Sequence, residues 1–277
     1  MTVEEFLDLF IKELEINPGL RHYYRLLESK NRYLWRKAYL QNRLQYVNNQ
    51  VDLPGSHIWD VGCGYGTTAL FLALNGHHVY GNTLEFYFNQ IGNRLEYWKK
   101  YGNLDNLNIE YANLFDLKVE PHKYDYIIAQ DTLHHLEPID DAIRVFRTSL
   151  KPGGKMIAVE ENGNSAFIRL KNFYKRGFNK VSTYYDERLK KIIPFGNENA
   201  RSFSEWKSLF DKTGFSTDNR NCEHVRLYPH FLFNHSNHHL ISGKESKIAA
   251  KHPLIREYLF FGINFTAIKR HNNEEKQ

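Results

Sequence analysis

Apolar side chains recur at helical spacing through the first fifty residues, which predicts a helical N-terminal segment. Positions 3, 7, 10, 11 and 14 are apolar, and an Asn-Pro-Gly break at 17–19 interrupts the pattern. Leucines continue it from about Leu20 to Val47, where a second helix is predicted. We expect residues 1–50 to form a helical cap on the domain that follows.

Short apolar runs replace this pattern between residues 51 and 162. The runs with the length of strands cover residues 57–61, 77–83, 107–113, 124–130 and 155–161. Helical segments separate them, and parallel strands need such long crossovers. The predicted fold class is therefore α/β, with a Rossmann-like, doubly wound and mostly parallel sheet as its core.

The regular alternation fades in residues 163–200, which carry many basic side chains. Phe167, Leu170, Tyr174 and Phe178 would share one face of a helix there. One interpretation is a cap helix with its apolar side over the active site. The other is a basic amphipathic helix that lies on an anionic membrane. Both interpretations favour an apolar ligand.

Residues 201–270 are predicted to complete the core. A helix is expected near 204–213, a strand near 224–228 and an alternating strand over 257–270. A polar insertion near 229–256 interrupts this part.

The insertion near 229–256 contains four histidines close together in sequence: His230, His235, His238 and His239. Metal sites need ligands on defined elements with supporting groups around them, and no carboxylate lies within this stretch. We therefore expect a mobile polar loop and no metal.

Composition and charge narrow the class of protein. The chain has 277 residues and a formal net charge of +5, too small a surplus to predict nucleic-acid binding without a clustered patch. Its two cysteines, Cys63 and Cys222, lie far apart, and its acidic beginning lacks a signal-peptide pattern. We expect a cytoplasmic protein with at most peripheral membrane contact. Nothing in the sequence indicates its oligomeric state.

The string DVGCGYG at residues 60–66 is the most informative motif. Asp60 ends an apolar strand, and Gly62, Gly64 and Gly66 then alternate with larger residues. Glycines let the backbone turn sharply and approach a ligand closely. The spacing differs from the G-x-G-x-x-G of dinucleotide sites, and a carboxylate here would repel pyrophosphate. The motif suits a ligand with an ammonium group and a sulfonium.

DVGCGYG resembles motif I of the class I S-adenosylmethionine-dependent methyltransferases. The resemblance implies a seven-stranded sheet with an antiparallel last strand and S-adenosylmethionine as cofactor. It also implies that Asp60 orients the methionine part, while Gly62, Cys63, Gly64 and Gly66 line the floor of the cofactor site.

Two positions depart from the family pattern. The family usually has an acid at the end of the second strand to hold the ribose, whereas this chain has Thr83, with Glu85 two residues later. It usually has another acid where Asn113 stands, and the following amide, here of Leu114, reaches the adenine ring. The side chains of Thr83, Glu85 and Asn113 can still make hydrogen bonds to the cofactor.

The end of the fourth strand reads QDTLHH, which is similar to a family signature beside the cofactor. By that resemblance Gln130 and Asp131 contact the cofactor, and His134 and His135 follow. A histidine near the methyl group suits removal of a proton from a hydroxyl near neutral pH, although such histidines often only shape the site. Glu160, at the end of the fifth strand, is a further catalytic candidate.

The sequence thus predicts transfer of a methyl group to a small, largely apolar acceptor, aromatic or lipid-like, by in-line displacement. Alignment of the reactants alone can supply about 7–11 kcal/mol in such reactions. Two alternatives stay open. A degenerate methyltransferase fold that only binds would explain the missing acids at Thr83 and Asn113. A nicotinamide-dependent oxidoreductase is disfavoured by the glycine spacing and Asp60.

Overall fold

A twisted eight-stranded sheet forms the centre of the computed structural model, which describes residues 1–85, 88–234 and 240–271. The strands of the chain are β1 (His57–Val61), β2 (His78–Thr83), β3 (Leu107–Tyr111), β4 (Tyr124–Gln130), β5 (Leu150–Glu161), β6 (Val181–Asp186), β7 (Lys191–Gly196), β8 (Phe215–Thr217), β9 (Glu223–Val225) and β10 (Gly262–Lys269). The helices are α1 (Val3–Ile16), α2 (Pro18–Tyr24), α3 (Lys30–Gln50), α4 (Thr67–Leu74), α5 (Gln90–Trp98), α6 (Ile139–Ser149), α7 (Ala166–Arg176), α8 (Phe203–Lys212), α9 (Ile241–Lys251) and α10 (Pro253–Leu259).

The order of the strands confirms the predicted doubly wound α/β fold. The sheet runs β3-β2-β1-β4-β5-β10-β8, and its first five strands are parallel. The last strand, β10, is antiparallel to both β5 and β8, as expected. Beyond the expected seven strands, the short β9 pairs with the beginning of β10. The strand order reverses between β1 and β4, which is where such sheets bind ligands.

Two hydrophobic clusters cover the two faces of the sheet. Successive side chains of a strand point to opposite faces, so Ile128 of β4 joins one cluster and Ile127 joins the other. The first cluster includes Phe6 and Phe10 of α1 together with Phe71 of α4 and Trp98 of α5. The N-terminal helices therefore share a core with the sheet.

The second predicted helix, from about residue 20 to 47, is in fact two helices. Arg25 adopts a left-handed conformation with φ of 52° and ends α2, and α3 begins five residues later. A non-glycine residue in this region is uncommon, and no glycine or proline marks the break in the sequence.

The segment 163–200 differs most from its prediction. Helix α7 ends at Gly177, where φ is 57°, and a two-stranded hairpin of β6 and β7 follows. Phe178 thus lies outside the helix, and the side chains of Phe167, Leu170 and Tyr174 are exposed. The expectation that these apolar side chains cover the active site is wrong.

The C-terminal part follows the predicted order. The helix expected near 204–213 is α8, the strand expected near 224–228 is the shorter β9, and the final strand is β10. Within the described residues, no helix combines the length and hydrophobicity needed to cross a bilayer.

Candidate functional site

A cavity of about 650 Å³ opens at the carboxyl ends of β1, β2, β3 and β4. Helices α2 and α3 wall one side of it, and the β6–β7 hairpin walls another. Ten of the predicted cofactor residues line it: Asp60, Gly62, Cys63, Gly64, Thr83, Glu85, Asn113, Leu114, Gln130 and Asp131. Gly66 does not line it and instead marks the beginning of α4. The fold therefore brings together residues that are seventy positions apart in sequence.

Asp60 lines this cavity, and one oxygen of its carboxyl group has no hydrogen-bond partner. Its side chain is 2% exposed, and its Oδ2 atom has no hydrogen-bond partner. Burial raises the pKa of this carboxyl to about 7, although a backbone hydrogen bond and Arg43 oppose the rise. A cationic ligand group would satisfy the free oxygen and restore the charged form of Asp60.

In the loop of residues 60–66, called the glycine loop below, a Cβ atom on Gly62 or Gly64 would crowd a neighbouring side chain. Gly62 has φ of 62°, and a Cβ atom there would lie 2.5 Å from Cγ2 of Thr132. A Cβ atom at Gly64 would lie 3.3 Å from the hydroxyl of Tyr23. Burial raises the pKa of the Cys63 thiol, so this side chain stays neutral and packs against Gly81.

Glu85 brings a carboxylate to the end of β2. The Thr83 hydroxyl oxygen accepts a hydrogen bond from the backbone N–H of Glu85 at 3.2 Å. Oε1 of Glu85 in turn accepts a hydrogen bond from the Tyr23 hydroxyl at 3.0 Å. Burial raises the pKa of Glu85, and the bond from Tyr23 opposes this. The family pattern has an acid where this chain has Thr83, and here a carboxylate lies two residues later, on Glu85, where it is hydrogen-bonded to Tyr23 of α2.

Asn113 caps the turn after β3. Its Oδ1 accepts a long hydrogen bond of 3.4 Å from the backbone N–H of Phe115. A carbonyl oxygen accepts two such bonds, so Oδ1 can also take one from a ligand. Leu114 follows at the wall of the cavity.

Gln130 and Asp131 stand at the end of β4. Nε2 of Gln130 donates to Oγ1 of Thr68 at 2.6 Å, while its Oε1 has no partner. Asp131 forms an ion pair with Arg43 of α3, and its Oδ1 also lacks a partner. Burial raises the pKa of Asp131, but Arg43 and Arg226 outweigh burial and hold it at about 2. Arg43 was not predicted, because nothing in the helical pattern of α3 links it to β4.

His134 and Glu160 lie behind the wall of the cavity rather than in it. Nδ1 of His134 is 2.5 Å from Oε2 of Glu160, and both side chains are buried. Oε1 of Glu160 accepts hydrogen bonds from the backbone N–H groups of Thr132 and Leu133 at 3.0 and 2.7 Å. This pair therefore holds the loop after β4 in place, and of the three residues predicted to be catalytic, His134 and Glu160 are the two that do not line the cavity.

His135 is the histidine that faces the cavity. Its Nδ1 lies 3.0 Å from the carbonyl oxygen of Gly196, at the end of β7. Burial and the neighbouring His134 lower the pKa of His135, which favours the neutral ring. With Nδ1 donating to Gly196, the lone pair of a neutral ring is on Nε2.

Four hairpin residues complete the wall beside His135: Tyr184, Ile193, Pro194 and Phe195. The hairpin is fixed to β3 by a hydrogen bond of 2.6 Å from the Tyr111 hydroxyl to Oδ2 of Asp186. Lys191 also forms an ion pair with Asp116. These apolar side chains were missed in the sequence because the segment was interpreted as helical.

The described part of the chain contains no group of three potential metal ligands. His230 is within that part. His235, His238 and His239 lie outside the described residues.

Comparisons with known proteins agree with this geometry. Residues 59–156 match the family model described as a methyltransferase domain. The ubiquinone biosynthesis O-methyltransferase of Coxiella burnetii is 29% identical over 124 residues, which cover 44% of this chain and 50% of that protein. A protein of the same name from Marinobacter nauticus is 30% identical over 44% of this chain and 51% of its own length. The chain thus spans about half the length of these curated relatives.

Solved structures share the fold at low identity. Phosphoethanolamine N-methyltransferase 2 of Haemonchus contortus has a TM-score of 0.55 at 17% identity, over 83% of this chain and 53% of that one. The cyclase SpnF has a TM-score of 0.55 at 18% identity, over 85% of this chain and 82% of that one. Identities this low show the fold alone, and the same fold includes both a methyltransferase and a cyclase.

Proposed function

We propose that this chain, which carries a class I S-adenosylmethionine-dependent methyltransferase domain, transfers a methyl group to a small, largely apolar acceptor. The observation that supports this most is the unpartnered carboxylate oxygen of Asp60 in the cavity. This oxygen would pair with the ammonium group at the amino acid end of a ligand, and a nicotinamide dinucleotide has no such group.

S-adenosylmethionine, when bound, supplies a methyl group on a sulfonium that is already a good leaving group. Asp60 would hold its ammonium group and Glu85 its ribose hydroxyls. Asn113 and the backbone of Leu114 would hold the adenine, as the family resemblance implies. Gln130 and Asp131 line the same cavity, and each has a side-chain oxygen without a partner, which favours a ligand that donates hydrogen bonds.

The acceptor would lie on the His135 side of the cavity. Ile193, Pro194 and Phe195 offer it an apolar wall, and Tyr184 adds an aromatic ring. Nε2 of neutral His135 would take the proton from an acceptor hydroxyl as the oxygen attacks the methyl carbon. A hydroxyl acceptor is also supported by the similarity to enzymes named O-methyltransferases.

Isothermal calorimetry with S-adenosylmethionine and S-adenosylhomocysteine tests the cofactor. Both should bind the wild-type chain, and Asp60→Asn should weaken S-adenosylmethionine binding by about 10–100-fold, because a hydrogen bond to a charged group contributes about 1.5–3 kcal/mol. The matched control is Asp141→Asn, since Asp141 lies on the surface of α6 in an exposed pair with Arg144. No binding at millimolar ligand would refute the proposal.

Labelled methyl transfer distinguishes an enzyme from a binding module. The chain is incubated with labelled S-adenosylmethionine and a cell extract that contains lipids and aqueous metabolites. Label should enter apolar products. Cofactor binding without transfer to any fraction would favour a binding module on this fold.

A further inference from the structure

A second cavity, of about 350 Å³, lies beside the first. Both cavities are lined by Tyr24, Leu40 and Arg43, so these side chains form a shared wall. The floor of the second cavity is the sheet, where Val159 of β5 pairs in register with Asn264 of β10. Its volume falls within the range of small-molecule sites.

Arginines dominate the charge of this second cavity. Its lining contains Arg25, Arg36, Arg43 and Arg226 and no aspartate or glutamate. Arg43 is paired with Asp131. Within the described residues, the other three arginines have no carboxylate at ion-pair distance.

The acids packed nearby have other partners. Oε1 of Glu245 accepts hydrogen bonds from the Tyr39 hydroxyl at 2.6 Å and from the backbone N–H of Leu227 at 2.7 Å. Glu28 lies 3.3 Å from His22. Glu28 acts on Arg36, and Asp131 on Arg226, only at longer range. With no ion pair among the described residues, these guanidinium groups are available to an anion.

The other walls are apolar and held in place. Trp35 donates from its indole nitrogen to the carbonyl oxygen of Tyr228 at 3.2 Å. The hydroxyl of Tyr39 is fixed by Glu245, so both rings lie in set positions at the wall of the cavity. Cavities of this kind hold an apolar body and orient it through a few polar groups.

Asn264 supplies an independent sign of a ligand. Its side chain is 4% exposed and lines the cavity, yet its Oδ1 has no hydrogen-bond partner. A buried amide oxygen without a partner is costly. An N–H or O–H group of a bound molecule would satisfy it.

We propose that the second cavity binds the anionic end of the methyl acceptor, an apolar molecule with a carboxylate or phosphate and a hydrogen-bond donor. Arg36 and Arg226 hold the oxyanion, Trp35 and Tyr39 contact the apolar body, and Asn264 accepts the hydrogen bond. That this ligand is the acceptor rests on the proposed function, because the link to the first cavity is the shared wall of Tyr24, Leu40 and Arg43.

Calorimetry with three probes of one apolar body tests this site. The probes are 3-(4-hydroxyphenyl)propionate, its neutral amide, and 2-(4-hydroxyphenyl)ethyl phosphate. At least one anion should bind tenfold or more tightly than the amide. The stronger of the two anions shows whether the site prefers a carboxylate or a phosphate. Inorganic phosphate alone should bind more weakly than either.

Two variants connect the binding to the cavity. Arg36→Gln and Arg226→Gln should each remove most of the preference for the anion over the amide. The matched control is Arg220→Gln, because the Arg220 side chain is 89% exposed and pairs with Asp218 on the surface. Binding of the probe should also change the tryptophan fluorescence. Trp35 lines this cavity, whereas Trp59, Trp98 and Trp206 are fully buried, so the change would report on Trp35.

The outcomes separate this inference from the proposed function. If S-adenosylmethionine binds but no probe binds, or the anions and the amide bind equally well, the anion site is wrong and the methyltransferase proposal stands. If the anions bind the wild-type chain and S-adenosylmethionine does not, the anion site stands and its link to methyl transfer is wrong. Unchanged anion preference in both arginine variants would also overturn the site, provided that they bind S-adenosylmethionine normally and are therefore folded.

Discussion

His134 and His135 are neighbours in sequence, yet their surroundings move their pKa values in opposite directions. Burial lowers the pKa of His135, and its Nδ1 has a backbone carbonyl as partner. For His134 burial also acts downward, but Glu160 outweighs it and raises the pKa to about 9. One ring is therefore neutral and open to the cavity, while the other is charged and buried. Only the neutral ring suits proton removal at neutral pH.

Replacing His135 tests its role as a base. His135→Gln should lower kcat for a hydroxyl acceptor by about 10²–10⁴-fold and leave the Kd of S-adenosylmethionine unchanged. In the wild-type chain, activity should rise with pH through a pKa below 6.5 and stay level above it, because the base must be neutral. Steady-state rates between pH 5 and 8 measure both effects.

His57→Gln is the matched control for this variant. His57 begins β1 at the opposite end of the strand from the cavity, so the rate and pH profile should stay those of the wild type. If His135→Gln kept full activity on a hydroxyl acceptor, His135 would only shape the site.

The pair of His134 and Glu160 predicts a pH dependence of stability. The pKa of His134 is raised from about 6.5 to about 9, so its contribution is complete below pH 6.5 and is lost as pH rises through 9. His134→Gln should lower the free energy of unfolding by roughly 1–3 kcal/mol at pH 6.5, and the difference from the wild type should shrink by pH 9.5. Denaturant unfolding at both pH values measures it. An equal difference at both would mean that His134 is not charged in the fold.

Asp60 and the glycines were predictable because neighbouring residues in the sequence form this part of the site. Glu85 was visible only as a candidate, since its partner Tyr23 lies 62 residues earlier. The ion pair of Arg43 and Asp131 spans 88 residues and has no local signal. Side chains that meet only after folding were therefore the ones that sequence reasoning missed.

At the scale of elements, the β6–β7 hairpin connects the acceptor wall to the base. Its last residue, Gly196, accepts the hydrogen bond from His135, and its first strand is fixed to β3 through Asp186 and Tyr111. A substrate that shifts the hairpin would also shift the partner of His135. The position of the hairpin thus bears on both the KM of the acceptor and proton transfer.

Weakening the attachment of the hairpin should affect the acceptor side of the cavity and leave cofactor binding unchanged. Tyr111→Phe removes the hydrogen bond of 2.6 Å to Asp186 and should raise the KM of the acceptor by about 2–10-fold, from the loss of about 0.5–1.5 kcal/mol. The Kd of S-adenosylmethionine should not change. Tyr80→Phe is the matched control, because its hydroxyl bonds to Glu110 at 2.8 Å on the surface. Equal effects of both variants would contradict a role of the hairpin in binding.

The core strands were easier to predict than the hairpin for a physical reason. Strands buried on both faces are continuous apolar runs, such as Tyr124–Gln130 of β4. The hairpin covers an open cavity with one face, and its strands, VSTYYD and KIIPFG, mix polar and apolar residues, so β6 has no continuous apolar run that would have marked it as a strand. Gly177 and the β-branched and aromatic residues after it were the signal for a hairpin.

At the scale of the whole molecule, hydrogen bonds connect the N-terminal helices to the glycine loop. Arg94 of α5 is fully buried, and its Nε and Nη2 atoms donate to both carboxylate oxygens of Glu13 in α1, at 2.8 and 2.7 Å. Nη1 of Arg94 donates to the carbonyl oxygen of Tyr65, within the glycine loop, at 2.7 Å. Trp98 donates to Glu13 as well. One network therefore connects α1 to the loop that follows Asp60.

Breaking this network should affect stability and cofactor binding together. Glu13→Gln leaves Arg94 as a buried charge without a counter-charge, which costs about 3–5 kcal/mol in the free energy of unfolding. Because Arg94 then holds Tyr65 less firmly, the Kd of S-adenosylmethionine should rise under conditions where the variant is still folded. Glu96→Gln is the matched control, since its pair with Lys99 is exposed and should contribute under about 1 kcal/mol. Denaturant unfolding and calorimetry on both variants measure the two effects. A Glu13→Gln chain that was destabilised but bound the cofactor normally would mean that the N-terminal helices support the core and not the glycine loop.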